Sequence, residues 1–199
     1  MKKIFFIWLT TFISLTLYSE PILDNPPASA GSDTAICEGQ THTLSGATAT
    51  NYIRLLWTSS GTGSFNKPAL LNPTYKPSAK DIVAGSVTLT LSVTGEAGYP
   101  DTTSSMVLTI TRAPKVFAGG SDAIREGEKY ALSYSSAENY TELNWSSSGT
   151  GFFNDFRDLH PTYVPSAEDI RFGSATLTLT ATGKGTCPPA VSDMVLIIN

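Results

Sequence analysis

The sequence predicts an all-β protein built from two tandem β-sandwich domains, and three observations support this prediction. One stretch occurs twice, at residues 57–95 and 145–183, with a constant offset of 88 residues. Hydrophobic residues in both copies recur with a period of two, which is typical of strands with one buried face. Gly, Pro and Asn turn signals return about every 8–12 residues, as they do in sandwiches. A repeat of this length fixes the architecture before any single motif is considered.

The first residues of the chain resemble a secretory signal peptide. Lys2 and Lys3 precede an apolar run that is shorter than the roughly 20 residues of a membrane-spanning helix. We expect residues 1–19 to be removed on export and residues 20–29 to form a short proline-bearing lead. The sequence therefore predicts a secreted or cell-surface protein with no membrane span after signal removal.

The repeat also predicts the domain boundaries. The first sandwich is assigned to residues 30–112, the linker to residues 113–117 and the second sandwich to residues 118–199. The linker is short and is stiffened by Pro114, so we expect the domains to be joined end to end with little hinge freedom.

Each domain has one long strand that alternates aliphatic residues with hydroxyl residues. These strands, GSVTLTLSVTG at residues 85–95 and GSATLTLTATG at residues 173–183, carry no charge. Exposed at the edge of a sheet they would favour aggregation, so we place both in the interior of a sheet. A tryptophan on a preceding strand packs against each of them. The residues assigned to the two cores are Trp57, Trp145, Leu89, Leu91, Leu177, Leu179, Tyr75 and Tyr163.

No window of the sequence has the period of an amphipathic helix. At most, Ser78 and Ser166 each cap a single helical turn that contains Asp81 or Asp169. The ordinary explanation for these two acids is a carboxylate that accepts backbone N–H bonds within a turn. A calcium site formed by Asp33, Asp81, Asp122 and Asp169 is the alternative, although no calcium-binding spacing of acids is present.

The repeated motifs resemble a known family. ICEGQ (36–40), NYIRLLW (51–57), SSGTGSF (59–65), NPTYKPSAKDI (72–82) and GSVTLTLSVTG (85–95) are similar to the PKD-like, immunoglobulin-like repeats of large exported proteins of Bacteroidetes. The resemblance covers nearly all of the chain after the signal peptide. It implies tandem immunoglobulin-like β-sandwiches at the cell surface, secretion associated with the type IX route, and no catalytic residues.

The two cysteines depart from that family pattern, in which both often occur in one repeat. Here Cys37 lies in the first domain and Cys187 in the second, while Tyr99 and Arg125 occupy the equivalent positions. A bridge within one domain is therefore excluded. We expect two unpaired thiols that could bridge to another chain, because we expect a Cys37–Cys187 bond to require a folded-back pair of domains.

Charge and motifs exclude several classes of function. The net charge is −4 and no basic cluster follows Lys3, which argues against a nucleic-acid partner. The sequence contains no nucleophile elbow, zinc-protease motif or phosphate-binding loop. We therefore predict a protein that is not an enzyme, with no catalytic residue, no cofactor and no metal ligand.

The function that remains is a structural or adhesive spacer, with other surface proteins or glycans as partners. The alternatives are a carbohydrate-binding module and an accessory domain of an exported hydrolase. Phe152 and Phe156 are the candidate ligand-facing aromatics, because their equivalents in the first domain are Ser64 and Pro68. The sequence does not predict the oligomeric state.

Overall fold

The computed structural model describes residues 28–199, so the predicted signal peptide and most of the predicted lead lie outside the described residues. Within residues 28–199, no helix is long and apolar enough to cross a membrane.

The first half of the described chain contains nine strands and one helix. They are β1 (Ala28–Ser29), β2 (Thr34–Cys37), β3 (His42–Thr43), β4 (Thr48–Ala49), β5 (Tyr52–Ser59), β6 (Ser64–Phe65), β7 (Thr74–Lys76), α1 (Ala79–Ala84), β8 (Ser86–Gly95) and β9 (Thr102–Thr111).

The second half repeats this order. Its elements are β10 (Lys115–Phe117), β11 (Asp122–Ile124), β12 (Tyr130–Ala131), β13 (Ser136–Glu138), β14 (Tyr140–Ser147), β15 (Phe152–Phe153), β16 (Thr162–Val164), α2 (Ala167–Phe172), β17 (Ser174–Gly183) and β18 (Ala190–Ile198).

Each half is a sandwich with the same strand order. In the first half, a four-stranded sheet β2-β9-β8-β5 packs against a three-stranded sheet β3-β7-β6, and β1 pairs with β4. In the second half, the corresponding sheets are β11-β18-β17-β14 and β12-β16-β15, with β10 paired to β13. All pairings are antiparallel except β2 with β9 and β11 with β18. The predicted all-β fold is thereby confirmed.

The long alternating strands lie inside their sheets, as predicted. β8 is bonded to β9 and β5, and β17 is bonded to β18 and β14. Their aliphatic side chains point inward, and the Thr and Ser side chains between them lie on the outer face. The backbone groups of these uncharged strands are therefore hydrogen-bonded to a neighbouring strand on each side.

The two halves have separate hydrophobic cores. The first core is built on Trp57 and Tyr75, and the second on Trp145 and Tyr163. In each, the tryptophan ring contacts a phenylalanine, which in turn contacts the tyrosine. All eight residues assigned to the cores are buried, namely Trp57, Trp145, Leu89, Leu91, Leu177, Leu179, Tyr75 and Tyr163.

Two short helices, α1 and α2, are longer than the single turn expected, with six residues each. Both begin with a capping box, in which the serine accepts from the backbone of the N3 aspartate and the aspartate accepts from the backbone of the serine. Both end at a glycine in the left-handed conformation, Gly85 (φ 79°) and Gly173 (φ 76°). Because six residues allow few hydrogen bonds within the helix, the cap at each end contributes much of its stability.

The connection between the halves is shorter than the linker assigned from the sequence. β9 ends at Thr111 and β10 begins at Lys115, so only residues 112–114 lie between strands. Residues 115–117 pair with β13 of the second half. The predicted linker is therefore partly a strand of the second sandwich.

The prediction of two unpaired cysteines is wrong. Cys37 and Cys187 form a disulfide with a Cα–Cα distance of 4.9 Å, and no free cysteine remains among the described residues. Cys37 ends β2 beside Thr111, the last residue of β9, so it lies at the junction. Cys187 lies in the turn between β17 and β18, with its Sγ 3.5 Å from Thr111 O. The bridge joins the ends that meet at the linker and needs no folding back.

The repeat itself explains why neither domain could form this bond alone. Within the first domain, the equivalent of Cys187 is Tyr99, which precedes the first residue of β9, whereas Cys37 pairs with the last. A strand of ten residues spans about 33 Å, so the two positions lie at opposite ends of one sandwich. They become neighbours only where the end of one domain meets the start of the next.

Candidate functional site

Three features of the structure are candidates for function: a buried carboxylate in each domain, the junction between the domains, and a groove on the second domain. The buried carboxylate of the first domain is Asp81, which is 2% exposed. Its Oδ1 accepts from Thr62 N at 2.8 Å. Its Oδ2 accepts from Gly63 N at 2.9 Å, Ser78 N at 3.0 Å and the Tyr75 hydroxyl at 2.8 Å. Four donors within the protein therefore occupy this carboxylate.

The second domain repeats this arrangement around Asp169. The acid accepts from Thr150 N, Gly151 N, Ser166 N and the Tyr163 hydroxyl at 2.7–3.0 Å. Both tyrosine hydroxyls also bond to a serine of the tryptophan-bearing strand, which is Ser59 or Ser147. The acid thus ties a glycine turn, a helix start and a core tyrosine together.

The hydrogen bonds decide the protonation state of both acids. Burial raises the pKa of Asp81, but the donors at Ser78, Thr62 and Tyr75 outweigh burial and hold its pKa below the ordinary value. The pKa of Asp169 is lowered in the same balance. The tyrosines respond in the opposite direction, because burial and the nearby carboxylate both disfavour a phenolate. The pKa of Tyr163 rises to about 12.

The glycines of the repeated SSGTG motif are required by this site. A Cβ atom on Gly63 would lie 2.6 Å from Asp81 Oδ2 and would also collide with the Tyr75 hydroxyl. A Cβ on Gly151 would lie 2.6 Å from Asp169 Oδ2. The role of these glycines is to let the backbone approach the carboxylate.

The calcium alternative at these acids has no support in the geometry. Within residues 28–199, no three His, Cys, Asp or Glu residues are grouped so that they could hold a metal ion. Asp81 and Asp169 belong to different cores and are each occupied by protein donors.

The junction is formed by the disulfide and a few polar contacts. Ala113 N donates to Glu38 Oε2 at 3.2 Å, and Asn139 Nδ2 donates to Ala113 O at 3.2 Å. Both cysteines are buried. Shallow grooves of about 380 Å³ and 270 Å³ lie at the junction, and Arg112 and Asn139 line both of them. The connecting residues are thus held from both domains as well as by the covalent bond.

A groove of about 450 Å³ lies along the edge of β14 in the second domain. We call it the β14 groove. It combines an exposed tyrosine with three charged side chains, and the residues that line it are Tyr140, Thr141, Glu142, Leu143, Arg157, Asp158 and Leu159.

The β14 groove differs chemically from the same surface of the first domain. Arg54, Ala69 and Leu70 occupy the positions of Glu142, Arg157 and Asp158. Two carboxylates and one guanidinium on the second domain are therefore replaced by a single guanidinium and two apolar side chains on the first.

The two candidate aromatics lie in different places relative to this groove. Phe156 is 46% exposed, and the guanidinium of Arg157 lies 5.3 Å from the centre of its ring. The carbonyl of Phe156 accepts from Trp145 N at 2.8 Å, which fixes the loop beside β14. Phe152 is 62% exposed on β15 but does not line the groove. Phe156 does not line the groove either, but it lies next to it, in contact with the groove residue Arg157.

A hydroxyl that sequence reasoning missed changes the second core. In the first domain, the indole Nε1 of Trp57 donates to Leu71 O at 3.1 Å. In the second, Ser135 replaces Ala47 and its hydroxyl lies 2.6 Å from the equivalent carbonyl, Leu159 O. Among the described residues, Trp145 Nε1 is a buried nitrogen without a hydrogen-bond partner. The sequence signal that could have revealed this hydroxyl was the difference between Ala47 and Ser135.

Comparison with solved structures identifies the fold. Extracellular domains 3–5 of Drosophila OTK align with a TM-score of 0.53 and 9% identity over 88% of this chain. A titin I-band fragment, I67–I69, aligns with a TM-score of 0.49 and 15% identity over 87% of the chain. Drosophila N-cadherin EC1–4 aligns with a TM-score of 0.48 and 16% identity over 88% of the chain.

At these identities the likeness shows the fold alone. The chain is an all-β protein with two tandem immunoglobulin-like β-sandwich domains. It spans 60% of the OTK fragment, 65% of the titin fragment and 49% of the N-cadherin fragment. No family model and no curated protein matches the sequence.

Proposed function

We propose that the protein is a non-catalytic extracellular spacer whose two immunoglobulin-like domains are held at a fixed relative orientation. The observation that carries this proposal is the Cys37–Cys187 bond across a connection of three residues. The chain at the junction and the disulfide tie the domains at two places. Two such ties restrict bending and twisting far more than a linker alone.

The disulfide also supports the proposed location. Disulfides form and persist in oxidising compartments such as the periplasm and the cell exterior. Together with the signal peptide predicted at residues 1–19, this bond favours a secreted or surface protein. The repeated motifs further support membership of the PKD-like repeats of exported Bacteroidetes proteins, with secretion associated with the type IX route, and surface proteins as partners.

Single-molecule energy transfer tests the fixed orientation. Lys67 and Asp155 are exposed and occupy equivalent positions in the two domains, so dyes carried there on noncanonical amino acids leave both cysteines intact. We expect one narrow distance distribution for the full chain and a broader one for Cys37→Ser with Cys187→Ser. Equal widths for the two proteins would refute the spacer with a fixed geometry.

Carbohydrate binding is the second candidate, and the β14 groove favours it. Carboxylates and a guanidinium can share hydrogen bonds with sugar hydroxyls, and exposed rings can stack on sugar faces. Glu142, Arg157 and Asp158 provide the first kind of contact. Tyr140 in the groove, with Phe156 beside it, provides the second.

A glycan panel tests this candidate with a control inside the same chain. We expect binding to be lost in Glu142→Gln with Asp158→Asn and in Phe156→Ala. Phe152→Ala, outside the groove, and Leu70→Ala, at the first-domain equivalent of Asp158, should bind like the original chain. Absence of binding to any glycan by the original chain, or equal loss in Phe152→Ala, would rule out the β14 groove as the site.

A further inference from the structure

We infer that the Cys37–Cys187 bond diverts mechanical tension around most of the protein, so that the chain resists extension even after parts of it unfold. This inference deepens the spacer proposal, on which it rests for its biological use, because a spacer at a cell surface is pulled from its two ends.

The bond closes a covalent loop that contains nearly the whole of both domains. Its sequence separation is 150 residues, whereas the described chain is 172 residues long, from 28 to 199. Only residues 28–36 and 188–199 lie outside the loop. Tension applied at the two ends passes along the first of these segments, crosses the S–S bond and leaves along the second.

Domain one is loaded only through a short segment. Between residue 28 and Cys37 the chain contributes β1 and β2, which have two and four residues. Strands β3 to β9 lie inside the loop and carry no tension. They include most of the first core, with Trp57, Leu89 and Leu91.

Domain two is loaded through β18, which is bonded on both sides. Eight of its residues pair with β17 and three with β11. Tension enters this segment at Cys187 and leaves it at Asn199, so it acts along a strand that is already extended, while β17 and β11 lie inside the loop and carry no load. We therefore expect β18 to lengthen little while the bond is intact.

The loop also limits how far the chain can extend. With the bond intact, the segments outside the loop can reach only about 80 Å when fully extended, at about 3.5 Å per residue. Without the bond, the described chain could reach about 600 Å on the same basis. The limit holds whether or not the domains stay folded. Force applied at the two ends of the chain cannot extend the residues inside the closed loop.

Force spectroscopy of the full chain, held by a handle at each end, tests this inference. With the bond intact we expect no single step longer than about 50 Å, and in Cys37→Ser with Cys187→Ser two steps of roughly 250 Å each. Adding reductant to the original protein should produce the same long steps. This second condition separates loss of the bond from any folding defect of the variant.

A matched pair of core substitutions tests the load path. Leu89 and Leu177 are equivalent residues, both fully buried. Both lie inside the loop, so with the bond intact neither Leu89→Ala nor Leu177→Ala should change the force–extension curve. In the double serine variant, each should lower the force of one long step.

Two results would overturn the inference: a step longer than about 100 Å before the bond is cleaved, at 3.5 Å per residue, or a change of the force–extension curve by either leucine substitution with the bond intact. Either result leaves the energy-transfer experiment on domain orientation unaffected. Conversely, a broad distance distribution together with the expected extension limit would refute the fixed orientation and leave the mechanical inference standing.

Discussion

Asp81 and Asp169 show how a single buried residue can decide whether a loop, a helix and a core close together. An isolated buried carboxylate is strongly unfavourable, but here four protein donors replace the water it loses. The sequence predicted the bond from the cap to the acid. It did not predict the tyrosine or the glycine turn, because the partners at 62 and 63 are distant in sequence and donate through the backbone.

Removing the acid should therefore destabilise one domain more than a typical substitution does. For Asp81→Ala we expect a loss of about 3 kcal/mol or more from the first domain, since several buried donors lose their acceptor. Urea unfolding followed by circular dichroism measures this loss. Asp193→Ala, at an exposed strand position, is the control and should change stability by less than about 0.5 kcal/mol.

The same acids predict how stability depends on pH at the acidic end. The folded pKa values of Asp81 and Asp169 lie below their ordinary value of 3.8, so their contribution is fully present above that value. It is lost as the pH falls through the folded pKa. We expect the melting temperature to fall between about pH 4 and pH 2, and to fall less in a variant that already lacks one of the acids. A flat profile over this range would contradict the assignment.

At alkaline pH the stability changes in the opposite direction, because it falls as the pH rises. The pKa of Tyr163 is raised to about 12, so its contribution is complete below 10, the ordinary value, and is lost as the pH rises towards 12. The difference in absorbance at 295 nm between the original chain and Tyr163→Phe should show this phenol ionising with unfolding and not before it. Ionisation of this one phenol near pH 10 in the folded protein would be inconsistent with its bond to Asp169.

Ser135 offers a residue-scale test of a core polar group. In Ser135→Ala, the carbonyl of Leu159 becomes available to Trp145 Nε1, so the lost hydroxyl bond is replaced and we expect a stability change within about 0.5 kcal/mol. Hydrogen exchange of the Trp145 indole N–H, followed by NMR, should become slower. A loss above about 2 kcal/mol in Ser135→Ala, or unchanged exchange of this N–H, would refute this account.

At the scale of elements, the long strands follow directly from the sequence and the short ones do not. β8 and β17 carry uninterrupted alternation over ten residues, which specifies both strand and buried face. Strands such as β3 and β12 have only two residues, too few for a period to be visible. Their positions depend on contacts with β7 and β16, which the local sequence does not encode.

The glycine turn between β14 and β15 gives a prediction at this scale. In Gly151→Ala the added methyl would collide with the Asp169 carboxylate and the Tyr163 hydroxyl, so we expect a loss of about 2 kcal/mol or more in urea unfolding. Gly120→Ala is the matched control, since a Cβ there meets no atom within 4 Å and the backbone has no positive φ. Equal stability of the two variants would show that the turn can move away from the acid.

At the scale of the whole molecule, the sequence predicted two separate cores and a stiff connection but not the bond across it. Comparison of the two copies shows that each cysteine lacks a partner cysteine within its own domain. The pairing depends on which end of a sandwich each position occupies, and this follows from the direction of β2 and β9. A repeat reveals what the domains share, whereas their contact is formed by residues that differ between the copies.

Removing the bond should lower the free energy of unfolding of the domains. It should also widen the range of their relative orientations. In the loop-entropy description, releasing a loop of this size costs about 5 kcal/mol. We expect Cys37→Ser with Cys187→Ser to lower the urea midpoint of both domains, because each is part of the closed loop. Either single serine variant should match the double variant, since one cysteine without the other provides no constraint.

The placement of the tryptophans gives each domain its own optical reporter. The chain has three, and the one outside the described residues lies in the predicted signal peptide, so a processed protein would retain Trp57 and Trp145. One indole is bonded to a carbonyl and the other has no partner within residues 28–199. The two should differ in emission wavelength, and conversion of either one to phenylalanine would let the remaining ring report the unfolding of a single half of the protein.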